Sequence, residues 1–163
     1  MKYAVVIIVV ICIVVALLIA AKPKDAQTPT EDAGVSNARL VIETAESIGD
    51  DLSEMTDAQR TVYAIYWYES EIMNGGILQF FDNSSGECAP FVSEALSTVG
   101  AEKHKALFDA FIADNGINTD NVNTDEIDED ISDDFDEKFY DLEIEETLEA
   151  LLAAYIKANA DII

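Results

Sequence analysis

Positive charge is what this sequence most lacks. Nine Lys and Arg stand against thirty-three Asp and Glu, a formal charge of −24, and three of the bases (Lys2, Lys22 and Lys24) precede the first acid. The rest of the chain sets only six bases against all the acids. Such a surface repels nucleic acid and anionic membranes, keeps a domain soluble and attracts basic partners. Cysteine occurs twice, as Cys12 and Cys88, and histidine once, as His104. Cys12 lies in an apolar run, so the single remaining thiol has no internal disulfide partner, and no metal-ligand spacing exists. His104 stands between Lys103 and Lys105, which predicts a position on an exposed helix surface. Cys88 falls near an expected helix start, a place that lowers a thiol pKa. A surface histidine and a structural cysteine nevertheless read more simply than a nucleophile–base pair. Glu69 and Glu71, two residues apart, cannot share a helix face and make a poor acid–base pair. No Gly-rich phosphate loop or Ser-His-Asp order is present. The Asp-rich stretch also fails as a calcium loop, which needs Gly at position six and Glu at twelve. Counting from Asp128 these are Asp133 and Phe139; from Asp120 they are Asp125 and Ile131. The expectation is a protein that is not an enzyme, with no catalytic residue, metal or cofactor.

What the chain has instead begins with one apolar run. Tyr3 to Ala21 is nineteen residues without a charge. At about 1.5 Å per residue it makes roughly 28 Å of helix, near the ~30 Å hydrocarbon core. A cleaved signal carries a shorter apolar core, commonly about 7–15 residues. Leu18 or Ile19 would also occupy an outer position that should be small before a cut. The reading is therefore a single-pass membrane anchor over residues 1–21. Lys2 and the amine on one side nearly balance Lys22 and Lys24 on the other, so the basic residues do not assign the side of the domain. Residues 22–36, polar with two prolines and a glycine, read as a flexible linker.

Residues 37–163 suffice for one domain with one core. No strand-type alternation persists and no internal repeat is visible, so the fold class is all-α, a compact domain of about six helices. Ser36 or Asn37 caps a first helix that runs to Gly49. Thr56 and Gln59 fit a capping box that opens a helix from Asp57 to Met73; along it Val62, Ile65, Tyr66, Ile72 and Met73 form an apolar stripe with Glu69 as its exception. Asn74-Gly75-Gly76 breaks that helix, and a short one follows from Ile77 to Asp82. Pro90 suits the first turn of a helix ending at Gly100. Ala101 to Asp114 forms another, with Leu107, Phe108, Phe111 and Ile112 inward. A last helix from Glu143 to Ala160 is expected to bury Ile144, Leu148, Leu151, Leu152, Tyr155 and Ile156.

Asp114 to Glu149 holds sixteen acids and one base, Lys138. Ile127, Ile131, Phe135 and Phe139 recur every fourth residue in it. This predicts a loop leading into helical turns, with one apolar stripe and one carboxylate face. The candidate partner-binding residues are Asp125, Glu126, Asp128, Glu129, Asp130, Asp133, Asp134, Asp136, Glu137, Glu143, Glu146 and Glu149. B-DNA presents one charge per ~1.7 Å of axis, and helix neighbours three or four apart lie about 5–6 Å apart at Cβ. Rows of such acids meet Lys and Arg at phosphate-like separations; an ordinary solvated face is the plainer alternative.

Residues 69–83, ESEIMNGGILQFFDN, resemble the signature of a bacterial family, the DNA mimic protein domain of the nineteen-kilodalton type. The distinctive positions are Glu71, Asn74, Gly75, Gly76, Gln79, Phe80, Phe81 and Asn83. Asp57-Ala58-Gln59-Arg60, Val99-Gly100-Ala101, Phe135 to Tyr140 and Ala154 to Lys157 extend the likeness over about residues 52–160. The resemblance implies an all-helical fold, no cofactor, and carboxylates that imitate phosphates to occupy a DNA-binding protein. The membrane run is a departure from the type protein. Read physically, Asn74 and Gly75 tolerate positive φ and end a helix sharply, Gly76 permits close packing, and Phe80 and Phe81 fill the corner. Gln79 and Asn83 are placed to satisfy free backbone groups. The competing reading is a polar ligand site formed by Glu71, Asn74, Gln79 and Asn83.

Together these features predict a membrane-anchored acidic binding module for a basic protein, a DNA-binding one among the candidates, with no direct nucleic-acid contact. The alternatives are an immunity-type inhibitor of a basic toxin and a structural membrane-surface scaffold.

Overall fold

The computed structural model describes residues 31–163, with side chains from Asn37 onward. The membrane helix expected over residues 1–21, and the linker as far as residue 30, lie outside these residues. Among the described residues no helix is long and apolar enough to cross a membrane. The described chain forms six α-helices and two 3-10 turns and contains no strand.

Helix α1, Glu31–Ile48, begins several residues earlier than Ser36. Helix α2, Asp57–Asp82, opens with the predicted capping box: Thr56 Oγ1 accepts the Gln59 N–H at 3.2 Å and Gln59 Oε1 accepts the Thr56 N–H at 3.0 Å. Gln59 Nε2 also donates to the Ile163 carbonyl at 2.8 Å, so the same side chain ties down the C-terminus. Replacing Thr56 with alanine is expected to cost about 1 kcal/mol, the usual worth of such a cap; a urea midpoint that does not move would contradict it. A 3-10 turn, Ser84–Cys88, leads to α3, Ala89–Val99, with Pro90 in its first turn. Gly100 closes α3 in the left-handed region at φ 83°. Helix α4 is Glu102–Asp114; after a loop and a second 3-10 turn, Thr124–Glu126, come α5, Glu129–Glu145, and α6, Leu148–Ala158.

Helix α2 is the axis of the fold, and α3, α5 and α6 pack on it. Its Tyr68 is fully buried and meets the rings of Phe80, Phe108 and Phe139 edge-on, with centroids 5.5, 5.5 and 5.6 Å away. Edge-to-face pairs of this kind add about 0.5–1.5 kcal/mol each beyond the area they bury. One ring thus joins α2, α4 and α5.

Three expectations are corrected. The last helix does not run unbroken from Glu143: Glu146 leaves helical geometry at φ −139° and Thr147 is extended, so α5 ends and α6 starts anew. Ile144 therefore lies on the solvent side, 84% exposed, rather than in the core. His104 is fully buried, not on the surface. Successive helix residues turn by about 100°, so lysines on both sides point outward while His104 joins Phe108 and Phe111 on the inner face.

Candidate functional site: an acidic helix and the corner it seals

Helix α5 carries a dense row of like charges, and two features hold it helical. Ser132, Phe135 and Phe139 are buried against the body of the domain. Asp128 caps the start, its carboxylate accepting the Asp130 N–H at 2.9 Å, and acids in a first turn favour the helix dipole. Asp134 and Lys138 form an i,i+4 ion pair on the outside. Of the predicted stripe, Phe135 and Phe139 are buried, Ile127 is half-buried, and Ile131 sits at the edge, 41% exposed.

The twelve candidate carboxylates divide into two groups. Asp125, Glu126, Asp128, Glu129, Asp130, Asp133, Asp134 and Glu137 are exposed along the second 3-10 turn and the outer face of α5. Asp136, Glu143, Glu146 and Glu149 are only half-exposed, and three of them have internal tasks. Asp136 Oδ1 accepts the Ile77 N–H at 2.8 Å. Glu143 accepts the Leu148 N–H at 3.2 and 3.3 Å, capping α6 across the break. Glu146 Oε1 accepts the Lys103 N–H at 3.2 Å.

Asn74-Gly75-Gly76 breaks the helix as expected: two helical stretches of α2 meet there at a kink. Asn74 stays helical and Gly75 is extended at φ −163°; only Gly76 takes positive φ, 85° with ψ 177°. The expectation of positive φ at Asn74 and Gly75 is therefore misplaced by one residue. A kink frees backbone groups, which are costly when buried without partners. Two residues of α5, one turn apart, take them up: Asp136 accepts from Ile77, and the Tyr140 hydroxyl donates to the Ile72 carbonyl at 3.1 Å. A Cβ at Gly76 would fall 2.1 Å from Asp136 Oδ2, so glycine also permits this approach. The two stretches that carry the family likeness, around Gly76 and around Asp136–Tyr140, thus meet at one corner.

Gln79 and Asn83 do not bind backbone groups with their side-chain amides. Both donate to Glu71 Oε2 at 2.7 Å, and Ser85 Oγ donates to Glu71 Oε1 at 3.4 Å. Glu71 thereby ties the end of α2 to the next turn, while Phe80 is buried and Phe81 half-buried beneath it. This arrangement fits the corner reading better than the ligand-site reading.

A second polar cluster lies inward of α5. His104 Nε2 faces the Glu146 carbonyl at 2.9 Å and Glu143 Oε1 at 3.2 Å, and its ring meets Phe139 edge-on at 5.0 Å. Two acceptors at Nε2 place the proton there, while Nδ1 has no hydrogen-bond partner among the described residues. Burial pushes the His104 pKa down. Burial pushes Glu143 up to about 7, with Glu146 and Glu149 adding repulsion. Glu69 is pushed to about 8, first by burial and then by Glu143 and Glu149. Both signals were in the sequence: Glu69 interrupts the stripe between Ile65 and Ile72, and His104 lies four and seven residues before Phe108 and Phe111. Cys88 is buried and free, and burial raises its thiol to about 12, the reverse of the shift expected at a helix start.

Comparison with curated proteins and with solved structures found no match. The family model described as DMP19-like protein matches residues 53–159, a span that takes in the kink, the Glu71 corner and the whole of α5. The chain belongs to the DMP19-like protein family.

Proposed function

We propose that the chain is a non-enzymatic, membrane-tethered binding module whose α5 face occupies a basic, DNA-binding protein. The observation that carries this reading is the set of eight exposed carboxylates from Asp125 to Glu137, held along an ordered 3-10 turn and the first turns of α5 with no base among them. A solvated acidic tail would be free to collapse or spread. Here the buried Phe135 and Phe139 fix one face, and the acids on the other keep separations of about 5–6 Å at Cβ. Attraction of this kind raises encounter rates and weakens with salt. The uncharged run Tyr3–Ala21 supports the tether. Membership of the family supports the choice of a DNA-binding protein as partner.

The test uses three exposed acids without structural bonds in this fold, Asp130, Asp133 and Glu137, changed together to lysine. Asp128 is left alone because it caps α5. Basic proteins of the source cell are loaded on immobilised duplex DNA, and the full-length chain is added at low salt. The native chain is expected to release a discrete protein, and the triple variant to release at least tenfold less. Equal release by both would reject the acidic-face reading. A reporter fused at Ile163 that works only outside the cytoplasm would reject the DNA-binding partner and leave a basic extracytoplasmic one.

A further inference from the structure

A cleft between α1, α2 and the start of α6 plays no part in the α5 reading. It is an open groove of about 240 Å³. Val41 and Ile42 of α1 and Tyr66 and Met73 of α2 form its sides, and Glu69 of α2 and Glu149 of α6 also line it. Ile42 and Met73 keep 42% and 55% of their surface in solvent. Apolar side chains at the rim and two carboxylates within make an awkward empty surface. Glu69 loses water there, and Glu143 of α5 and Glu149 repel it, an effect that the Glu149 backbone N–H only partly offsets. What relieves both problems is a cation on an apolar stem. Arginine suits better than lysine, because guanidinium is less strongly hydrated, forks to carboxylates and stacks on aromatic rings.

We propose that this cleft is a socket for one arginine side chain of a partner protein. The guanidinium sits between Glu69 and Glu149 against the Tyr66 ring, and the stem lies along Val41, Ile42 and Met73. The idea does not depend on α5 binding anything.

The socket carries its own signature. Glu69, raised to about 8, holds a proton at neutral pH when the cleft is empty. A guanidinium beside it favours the carboxylate, so binding releases that proton and tightens as pH rises. The groups facing Glu69 are the carboxylate and the backbone N–H of Glu149 from α6, Glu143 from α5 with His104 of α4 behind it, and Tyr66 from α2. The α1 side offers Ala38, Val41 and Ile42, none of which titrates.

The experiment is a titration of the full-length chain, kept dispersed in a non-ionic detergent, with n-propylguanidinium, n-butylammonium and the neutral isostere N-propylurea. Methyl resonances of Met73 and Ile42 are followed by NMR. Propylguanidinium is expected to shift both saturably, with affinity rising about twentyfold from pH 6.5 to 8.5 as the proton linkage requires. Propylurea should leave them nearly still, and butylammonium should bind more weakly. Glu69→Gln should weaken binding and remove its pH dependence; Glu149→Gln should weaken it while the dependence persists. The Asp130, Asp133, Glu137 to lysine variant should bind as the native chain does. Equal shifts from propylurea, affinity flat with pH, tighter butylammonium, or loss of binding in the α5 variant would each overturn the socket.

Discussion

Gly76→Ala is expected to destabilise the domain by about 3 kcal/mol, from backbone strain and overpacking acting together. Gly76 sits at φ 85° and ψ 177°, a combination open in practice to glycine alone. The added methyl would also overlap Asp136 Oδ2, 2.1 Å from the ideal Cβ position. Asp136 cannot simply retreat, because its other oxygen accepts the Ile77 N–H where the helix resumes. Losing that acceptor leaves a partly buried donor unpaired, a further cost of about 1–3 kcal/mol if the shift is complete. Gly75→Ala is the internal control. Its extended backbone accepts any residue, and the nearest obstacle is the far end of the Gln79 side chain. It should cost only the Gln79–Glu71 bond, about 1 kcal/mol. Chemical denaturation of the two variants and of Asp136→Ala, alone and combined with Gly76→Ala, separates strain from contact. Gly76→Ala as stable as Gly75→Ala would show that the kink is not built as described. Combined costs that merely add would show that Asp136 and Gly76 do not touch.

The second large effect is on pH. Glu69 and Glu143 have folded-state values of about 8 and 7, above the ordinary 4.5. The folded state therefore binds more protons than the unfolded chain between pH 4.5 and about 8. The stability this represents is fully present below the unfolded value and is lost as pH rises through the folded ones. His104 works the other way. Its folded value is depressed below 6.5, so charging it removes stability as pH falls below that point. Above pH 6.5 His104 opposes the loss from the two glutamates by only about 0.4 kcal/mol, because half of the unfolded histidine is still charged at that point. Stability should fall by about 2–3 kcal/mol from pH 6.5 to 8.5, roughly 10 °C in the melting temperature of a domain this size. Glu69→Gln keeps the shape and removes the larger contribution. It should melt higher than the native chain at pH 8.5 and show a flatter profile. A melting temperature that rises from pH 6.5 to 8.5, or a Glu69→Gln profile that parallels the native one, would be incompatible with these two carboxyls lying where they do.

Much of the fold is legible in the chain because it depends on neighbours in sequence. Thr56 and Gln59 are three apart, so their capping box is local and α2 begins where it should. Gly100 closes α3 for the same reason. The inner faces of α4 and α6 follow from apolar residues at helical spacing. The failures share a cause. A period-four stripe predicts helical turns after Ile127 but cannot say where one helix stops and the next starts, since Glu143 to Glu146 are good helix formers. The break there is set by the Glu143 carboxylate reaching over to cap Leu148. For His104 the register on α4 outweighs the two flanking lysines and turns the ring inward.

The site divides in the same way. Composition alone shows a chain with one apolar run, a great excess of acid and an acidic stretch beginning near Asp114, and the motif around Gly76 shows the family. Which acids remain free to meet a partner is decided only by packing. Asp136 and Glu143 look no different in sequence from Asp133 or Glu137, yet they serve the kink and the start of α6, because a long-range contact places the Ile77 N–H beside Asp136 and the break after Glu145 turns the Leu148 N–H toward Glu143. The chain alone determines how much negative charge there is, through its residues. The tertiary structure determines which charge is desolvated and bound internally and which faces water, because hydration and hydrogen bonding depend on what lies next to a group in space.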